Sequence, residues 1–194
     1  MKLLTYAILM LTTAIFSLEM ISAQAMETGK VFIIGLDSGG ENLEAVKISN
    51  GETVHANVNS GVFFGDGFVV GMGNFEAQLT IGVKTNKGGG DADFYWLAVP
   101  VDLMLFYQVS NFRVGLGLTK HYLPRLESRS NIFTRSGTQY DNSDGDIAQI
   151  GWEPTGGNFS IDLRFTAIKF KEKNVSNAPE LNGNVIGLYF VGKL

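Results

Sequence analysis

The chain has no cysteine, which excludes disulfide bonds, thiolate metal sites and lipid attachment at an N-terminal cysteine. This composition suits export through an oxidising compartment. Basic charge is also scarce: 15 Lys and Arg stand against 19 Asp and Glu, for a formal net charge of -4. A strong general attraction to nucleic acid needs a basic surface, so the composition predicts no nucleic-acid partner.

Long apolar runs are missing after the N-terminus, so no later stretch is predicted to form a transmembrane helix. The start combines a basic second residue, an almost uninterrupted apolar run over Leu3–Leu18 and small residues up to Ala25. These are the three parts of a secretory signal peptide. A membrane anchor is the alternative, but the run is short for a span and ends at Glu19. We therefore predict a signal peptide over residues 1–25 and one domain over residues 26–194.

The stretch Phe75–Asn86 (FEAQLTIGVKTN) alternates apolar and polar residues. Successive side chains of a strand point to opposite faces, so this pattern predicts a strand with one apolar and one polar face. Similar patterns recur along the chain, with no convincing helix among them. The eight predicted strands are Lys30–Asp37, Val58–Met72, Phe75–Asn86, Asp93–Phe106, Phe112–His121, Asp146–Glu153, Phe159–Phe170 and Gly183–Gly192.

The connections between these strands alternate between long and short, as they do in outer-membrane barrels. Gly40–Asn57 and Tyr122–Gly145 are the chief long loops, and Asn50-Gly51 predicts a small hairpin within the first. Pro100 predicts a bulge or local irregularity in its strand. Aromatic residues bracket several strands, which at about 40° of tilt span roughly 27 Å, close to the apolar band between aromatic girdles. The predicted fold class is all-β, an eight-stranded antiparallel up-and-down transmembrane β-barrel.

Alternation by itself fits a soluble barrel, with its apolar faces inside, as well as a membrane barrel, with its apolar faces toward lipid. The aromatic brackets and the signal peptide favour the membrane barrel. An eight-stranded barrel has an interior just wide enough to be filled by side chains, so we predict no open pore. Three acidic and three basic residues would then form a neutralising charge network in the lumen: Glu76, Lys84, Asp102, Arg113, Asp162 and Arg164.

The region Lys30–Leu194 resembles the small outer-membrane β-barrels of the OmpA-transmembrane and OmpX-like group, through GLDSGGENLEAVKISNG, FEAQLTIGVKTN, PVDLMLFY, RVGLGL and NVIGLYFVGKL. The resemblance implies eight antiparallel strands, both termini in the periplasm, contact with outer-membrane lipid and lipopolysaccharide, and insertion by the barrel-assembly machinery. Such barrels usually end in an aromatic residue. This chain instead ends in Leu194, in register with Phe190, which bears on its assembly efficiency.

Candidate chemistry is sparse. Some barrels of this kind are lipid A deacylases or acyltransferases that use a His, a Ser and an acidic partner. This chain has two His: His55 in the first long loop and His121 at the end of a strand, predicted to face the lumen near the outer rim. Asp141, Asp144 and Asp146 resemble part of an oxygen-rich calcium loop, but no bidentate Glu follows at the required spacing. We therefore predict no catalytic residue, no cofactor and no metal.

The sequence predicts a monomeric, non-enzymatic barrel in a Gram-negative outer membrane, with a structural or surface-interaction role carried by its extracellular loops. One alternative is a soluble lipocalin-like barrel that binds an apolar ligand. It requires the apolar faces inside, and the Gly-x-Trp signature near its first strand is absent. The other alternative is a lipid A-modifying barrel enzyme.

Overall fold

A computed structural model of the chain describes residues 26–47, 53–87, 93–131, 134–154 and 157–194. The predicted signal peptide lies outside these residues. Among the described residues, no helix has the length and hydrophobicity needed to cross a membrane. The strands found there are β1 (Glu27–Gly39), β2 (Asn42–Lys47), β3 (Thr53–Asn57), β4 (Gly61–Met72), β5 (Phe75–Lys87), β6 (Asp93–Val109), β7 (Phe112–Asn131), β8 (Thr134–Gln139), β9 (Ser143–Trp152), β10 (Phe159–Lys171), β11 (Glu180–Asn182) and β12 (Val185–Lys193).

Eight of these strands close into an antiparallel barrel in the order β1-β4-β5-β6-β7-β9-β10-β12. The ring closes between β1 and β12, which pair from Val31 with Lys193 to Gly39 with Val185. Closure pairs the backbone N–H and C=O groups that would lack hydrogen-bond partners at the edges of an open sheet. The eight strands correspond to the eight predicted ones, so the predicted fold class is confirmed.

The barrel is inverted relative to a soluble one, because its apolar faces point outward. Leu79, Leu116 and Leu163 are 52%, 71% and 48% exposed. On the same or neighbouring strands, Arg113 and Asp162 point inward and are 1% and 0% exposed. The alternation of inward and outward residues follows from the two-residue period of a strand. This arrangement is the opposite of what the lipocalin-like alternative requires.

The two ends of the barrel differ. One end, here named the turn end, carries the tight connections after β4 and β6 together with residues 26 and 194. The other end, here named the hairpin end, carries β2–β3 and β7–β8. A hairpin therefore lies within Gly40–Asn57, as predicted. The predicted turn residues Asn50 and Gly51 lie outside the described residues.

The prediction that Tyr122–Gly145 is a long loop is wrong. Strand β7 continues without a break to Asn131. It pairs with β8 from Arg125, opposite Gln139, to Asn131, opposite Thr134. The strand was missed because the sequence Arg125–Asn131 (RLESRSN) is mostly polar and lacks the alternation that identifies a half-buried strand.

The predicted irregularity at Pro100 is found, and it involves both neighbouring strands. Registered pairs between β5 and β6 stop at Val101 and resume at Ala98. On the other side, the register between β6 and β7 shifts between Leu97 and Val99. Leu123 of β7 lies opposite this shift and has a φ of 52°. The missing amide donor of proline accounts for the gap in the β5–β6 ladder.

The barrel interior has an apolar wall and a polar wall. The apolar wall belongs to β1, β4 and β12 and consists of Val31, Ile33, Phe63, Val69, Tyr189 and Val191. Buried charged side chains come mainly from β5, β6, β7 and β10, on the opposite side of the ring. This side of the ring also carries a smaller apolar cluster of Met104, Phe106 and Ile147, so its charges lie beside apolar as well as polar side chains.

Candidate functional site

The first group of interior charges is centred on Arg113 of β7. Its Nε donates a hydrogen bond to Asp162 Oδ1 at 3.0 Å, and its Nη2 donates to Oδ2 of the same carboxylate. Nη1 donates to Glu76 Oε1 at 3.1 Å. The guanidinium carbon also lies 4.3 Å from the centre of the Phe106 ring. A two-pronged Arg–carboxylate contact of this kind combines charge attraction with a fixed geometry.

Lys193 of β12 connects two more carboxylates at the turn end. Its Nζ donates to Glu153 Oε1 at 2.7 Å and to Glu76 Oε2 at 2.5 Å. These three side chains, together with Glu27, line a cavity of about 670 Å³ that opens at the turn end. Glu76 therefore joins Lys193 to Arg113, and the charges at the turn end form one connected group.

The second group is centred on Arg164 of β10, deeper in the barrel. Its Nη1 donates to Asp102 Oδ2 at 2.7 Å, and Thr119 Oγ1 donates to Asp102 Oδ1 at 2.6 Å. Arg164 Nε donates to Gln149 Oε1 at 2.7 Å, while Gln149 Nε2 donates to Asp162 Oδ2 at 2.6 Å. Gln149 thus acts as an uncharged link between the Arg164 group and the Arg113 group.

A third group surrounds Asp37, close to the apolar wall. Lys84 Nζ of β5 lies 2.6 Å from Asp37 Oδ2, and both side chains are almost fully buried. The Tyr189 hydroxyl donates to the same oxygen at 2.6 Å. The Tyr189 ring also lies under the Arg164 guanidinium, 4.1 Å from its carbon to the ring centre. The third group therefore contacts the second through Tyr189.

We refer to these connected side chains as the charged network: Asp37, Glu76, Lys84, Asp102, Arg113, Gln149, Glu153, Asp162, Arg164, Tyr189 and Lys193. A buried ion is costly unless it is paired and hydrogen bonded. Each of the four buried or half-buried cations in the network lies within 3.1 Å of a carboxylate oxygen. Pairing therefore offsets part of the desolvation cost of each cation, although Asp37 Oδ1 and Arg164 Nη2 are buried without a hydrogen-bond partner.

The six sequence-predicted lumen charges all point into the barrel, but they do not pair only with one another. Five of them fall in the first two groups. Lys84 instead pairs with Asp37, which sequence analysis placed at the end of its strand and did not assign to the lumen. The alternation did indicate its orientation, because Asp37 lies an even number of residues after Val31 and Ile33 and therefore shares their inward face.

Glu153 and Lys193 were missed for a different reason. Glu153 is the residue after β9, and Lys193 ends β12, so both lie where alternation gives the least information. Their side chains reach the network because Arg113 and Glu76 lie at the same level of the turn end. Gln149 was overlooked because it is uncharged, although its inward position follows from the β9 alternation.

The hairpin end of the interior is closed by apolar and aromatic side chains, which we name the aromatic cap. Its members are Val58, Trp96, Tyr140, Ile168 and Phe170, with Leu126 and Leu181 packed against them. The Trp96 and Phe170 rings meet edge to face with centres 5.1 Å apart, and Trp96 lies 5.3 Å from Tyr140. Burial raises the pKa of the Tyr140 phenol above its ordinary value, and the nearby Glu172 carboxylate adds to this.

His121 lies beneath the aromatic cap. Its side chain is 3% exposed, and its ring centre is 5.7 Å from that of Phe170. The predicted inward orientation is therefore found, but the side chain is covered by the aromatic cap. A histidine in this position does not meet a lipid substrate on the outside of the barrel. His55 lies in β3, and its side chain is outside the described part of the structure.

The acidic stretch around Asp141 does not form a calcium loop in the described structure. Asp144 and Asp146 belong to β9, where both point outward. Asp144 accepts a hydrogen bond from Lys120 Nζ at 3.0 Å across the β7–β9 pair. Within the described ranges, no three His, Cys, Asp or Glu side chains are grouped closely enough to hold a metal ion.

Comparison with known proteins gives a structural likeness without a sequence relative. No family model and no curated protein matches the chain. The crystal structure of Neisserial surface protein A (NspA) is similar, with a TM-score of 0.56 and 12% identity over 88% of this chain and 100% of that one. The outer membrane protein Ail of Yersinia pestis, solved in a phospholipid bilayer nanodisc, has a TM-score of 0.39 and 15% identity over 87% of this chain and 100% of that one.

At this identity the likeness to NspA concerns the fold. It agrees with what the described strands show independently: a closed ring of eight antiparallel strands, apolar outside and charged inside. The chain therefore has the fold of the small eight-stranded outer-membrane β-barrels.

Proposed function

We propose that the chain is an exported, non-enzymatic protein of a bacterial outer membrane, with its interior filled by side chains and its hairpin end presented to the exterior. The observation that carries this proposal is the inversion of the barrel. Outward side chains such as Ile81, Leu105 and Leu118 are 57%, 65% and 60% exposed, which is costly in water and favourable in a lipid hydrocarbon layer. Outer-membrane lipid and lipopolysaccharide would cover this belt, after insertion by the barrel-assembly machinery.

A filled interior is supported at both ends. The charged network crosses the turn-end half of the barrel from β12 to β7, through Lys193, Glu76 and Arg113. The aromatic cap packs rings from β6 and β10 against each other at the hairpin end. Ions that cross such an interior would have to separate buried ion pairs and displace apolar rings. We therefore expect no steady ion conductance from the purified protein in planar bilayers.

A structural or surface-interaction role is supported by the hairpins that the chain carries at one end of the barrel. Loops and hairpins on a rigid scaffold are the usual carriers of recognition. Here β7 and β8 extend the barrel wall, and β2–β3 forms a separate hairpin at the same end. Each cation of the charged network is paired with a carboxylate of the same network, which supports a role in stability. A lipid A-modifying activity has no support from His121, because the aromatic cap covers it.

The first experiment tests membrane insertion and orientation together. The natural chain lacks cysteine, so a single introduced cysteine is the only thiol of the protein that a maleimide can label. Val175→Cys, 44% exposed in the connection after β10, should react with a membrane-impermeant maleimide on intact cells. Asn74→Cys, in the tight turn after β4, should react only after the outer membrane is opened. Recovery of the protein in the soluble fraction instead of the membrane fraction, or labelling of Asn74→Cys on intact cells, would contradict the proposal.

The second experiment tests the absence of enzymatic activity. Overproduction of the protein should leave the mass spectrum of lipid A unchanged, because the described interior offers lipid no access to His121. A new lipid A species that disappears with His121→Ala would overturn the non-enzymatic assignment. Heat-dependent gel mobility of His121→Ala serves as the control for folding, since an unfolded variant would lose any activity for a trivial reason.

A further inference from the structure

Asp66 is an acidic residue on the outward face of the barrel, within a row of apolar side chains. Asp66 of β4 is exposed, and it occupies the central position of the outward row Val62, Phe64, Asp66, Phe68 and Val70. Its registered partners on the neighbouring strands are Phe32 of β1 and Ile81 of β5, which are 43% and 57% exposed. The carboxylate is therefore surrounded by large apolar side chains on all four sides of the outer surface.

This position is unfavourable for a single barrel in lipid. Acidic side chains on the lipid-facing surface of a barrel destabilise it, most of all near the middle of the bilayer. Two outward residues separate Asp66 from each end of its row, so neither interface is close. No ion pair of Asp66 is found among the described residues. A long basic side chain on a neighbouring protein would neutralise this carboxylate.

The same face supplies such a side chain. Lys30 of β1 is exposed, pairs with Phe68 and is thus the diagonal neighbour of Asp66. Diagonal neighbours on one face of an antiparallel pair lie about 7–8 Å apart. The β1–β4 face therefore carries one acid and one base, set in a patch of three exposed phenylalanines: Phe32, Phe64 and Phe68.

A surface of this kind is complementary to itself. In a dimer with a two-fold axis parallel to the barrel axis, each residue faces residues at a similar depth on the other copy. Lys30 of each copy then meets Asp66 of the other, and the two pairs are equivalent. The flexible four-carbon stem of lysine can span the small difference in depth between the two positions. The exposed phenyl rings supply the packing area around the two ion pairs.

We propose that two copies of this chain associate in the membrane through their β1–β4 faces, with reciprocal Lys30–Asp66 ion pairs in the interface. This inference rests on the membrane insertion proposed above, and it replaces the monomer that the sequence pattern predicts. It assigns a role to the central outward charge of β4, which the structure of the single barrel leaves without a partner among the described residues.

The test uses single cysteines in the otherwise cysteine-free chain. Phe68→Cys lies in the proposed interface, and Leu116→Cys, 71% exposed on β7, lies on the opposite wall. With a short bis-maleimide in outer-membrane fractions, Phe68→Cys should give a cross-linked dimer at least tenfold more abundant than Leu116→Cys. Membrane-inserted protein that gives no dimer, or equal dimer from both sites, would overturn the proposal. Protein that is not in the membrane fraction would instead contradict the proposed function.

Charge reversal tests the ion pairs themselves. In the Phe68→Cys background, Asp66→Lys or Lys30→Asp should remove most of the cross-linked dimer, because like charges then meet across the axis. The two changes together should restore it. Asp66→Leu keeps the surface apolar and serves where Asp66→Lys fails to insert, as judged by heat-dependent gel mobility. If Asp66→Leu leaves the amount of dimer unchanged, the carboxylate has no role in association and the proposal fails.

Discussion

The two ends of the barrel interior are closed by different interactions, ion pairs at one end and apolar packing at the other. At the turn end, Arg113 is held by Asp162 and Glu76, and every bond depends on a charged partner. At the hairpin end, Trp96 and Phe170 pack edge to face and depend only on shape and burial. Ion pairs lose most when one partner is altered, whereas an apolar cluster tolerates a change that preserves volume. Changes of similar size should therefore be costly at the turn end and mild at the hairpin end.

The largest effect is expected from Asp162→Asn, which keeps the shape of the side chain but removes its charge. Arg113 then remains buried at 1% exposure without its two-pronged partner. Removal of one member of a buried pair costs about 3–5 kcal/mol of unfolding free energy. Urea unfolding of the protein in phospholipid vesicles measures this cost.

The matched control is Ser160→Ala. Ser160 is equally buried and donates to the same carboxylate at 3.2 Å, but it carries no charge. Its loss should cost about 1.5 kcal/mol, the lower end of the range for a hydrogen bond to a charged group. Equal losses from the two variants would show that charge pairing is not what distinguishes the turn end.

The next effect is expected from Gly151→Ala in β9. A Cβ at this position would collide with Asp162 Oδ1 and approach Cγ of Arg113 at 3.2 Å. The added methyl should displace the carboxylate from Arg113 and cost about 1–3 kcal/mol, the range for overpacking of a filled interior. The measurement is again the urea midpoint. The control is Gly71→Ala of β4, where the nearest atom to a Cβ is 3.9 Å away. An unchanged midpoint for Gly151→Ala would indicate that the network rearranges freely.

A smaller effect is expected from Phe170→Leu in the aromatic cap. The ring is 0% exposed and packs on Trp96 and His121. The smaller leucine loses the ring contacts and leaves a small cavity, so the change should cost about 1–2 kcal/mol. The change should also leave the salt dependence of the urea midpoint unaltered, since no charge is involved. A loss as large as that of Asp162→Asn would remove the proposed difference between the two ends.

The smallest effect belongs to an exposed pair outside the barrel interior. Lys169 Nζ donates to Glu180 Oε2 at 2.9 Å, which lowers the pKa of the Glu180 carboxyl below its ordinary value of 4.5. Because the folded pKa lies below the unfolded one, the pair stabilises the fold above pH 4.5 and is lost as the pH falls through the folded pKa. The difference in urea midpoint between the natural chain and Glu180→Gln should therefore be small at neutral pH and vanish in acid. A difference that persists in acid or in high salt would contradict an electrostatic origin.

The barrel could be predicted from the sequence because membrane strands must alternate. Leu79 and Leu163 mark their outward faces, and Arg113 and Asp162 their inward ones, since lipid and lumen impose opposite requirements on neighbouring residues. The β7–β8 extension could not be predicted in this way. From Arg125 to Asn131 the sequence (RLESRSN) is mostly polar and does not alternate, although the backbone pairing of the strand continues.

Six charged members of the interior site were predicted from the sequence, but Asp37, Gln149, Glu153 and Lys193 were missed, and the pairing was not predicted. Alternation identifies which charges face inward, but partners are set by the tilt and register of strands far apart in sequence. Asp37 and Lys84 are neighbours only because β1 and β5 flank β4 in the closed ring. Lys193 reaches Glu76 because β12 closes onto β1. These contacts follow from barrel closure, and no local pattern encodes them.

The most direct test of the central claim uses the two tryptophans of the chain, which lie on opposite sides of the wall. Trp152 is 41% exposed on the outward face of β9, and Trp96 is 1% exposed within the aromatic cap. In vesicles of brominated phospholipid, fluorescence of the variant that retains Trp152 (Trp96→Phe) should be strongly quenched, and that of the variant that retains Trp96 (Trp152→Phe) should be protected. Equal quenching of the two, or quenching of Trp96 alone, would contradict an inverted barrel.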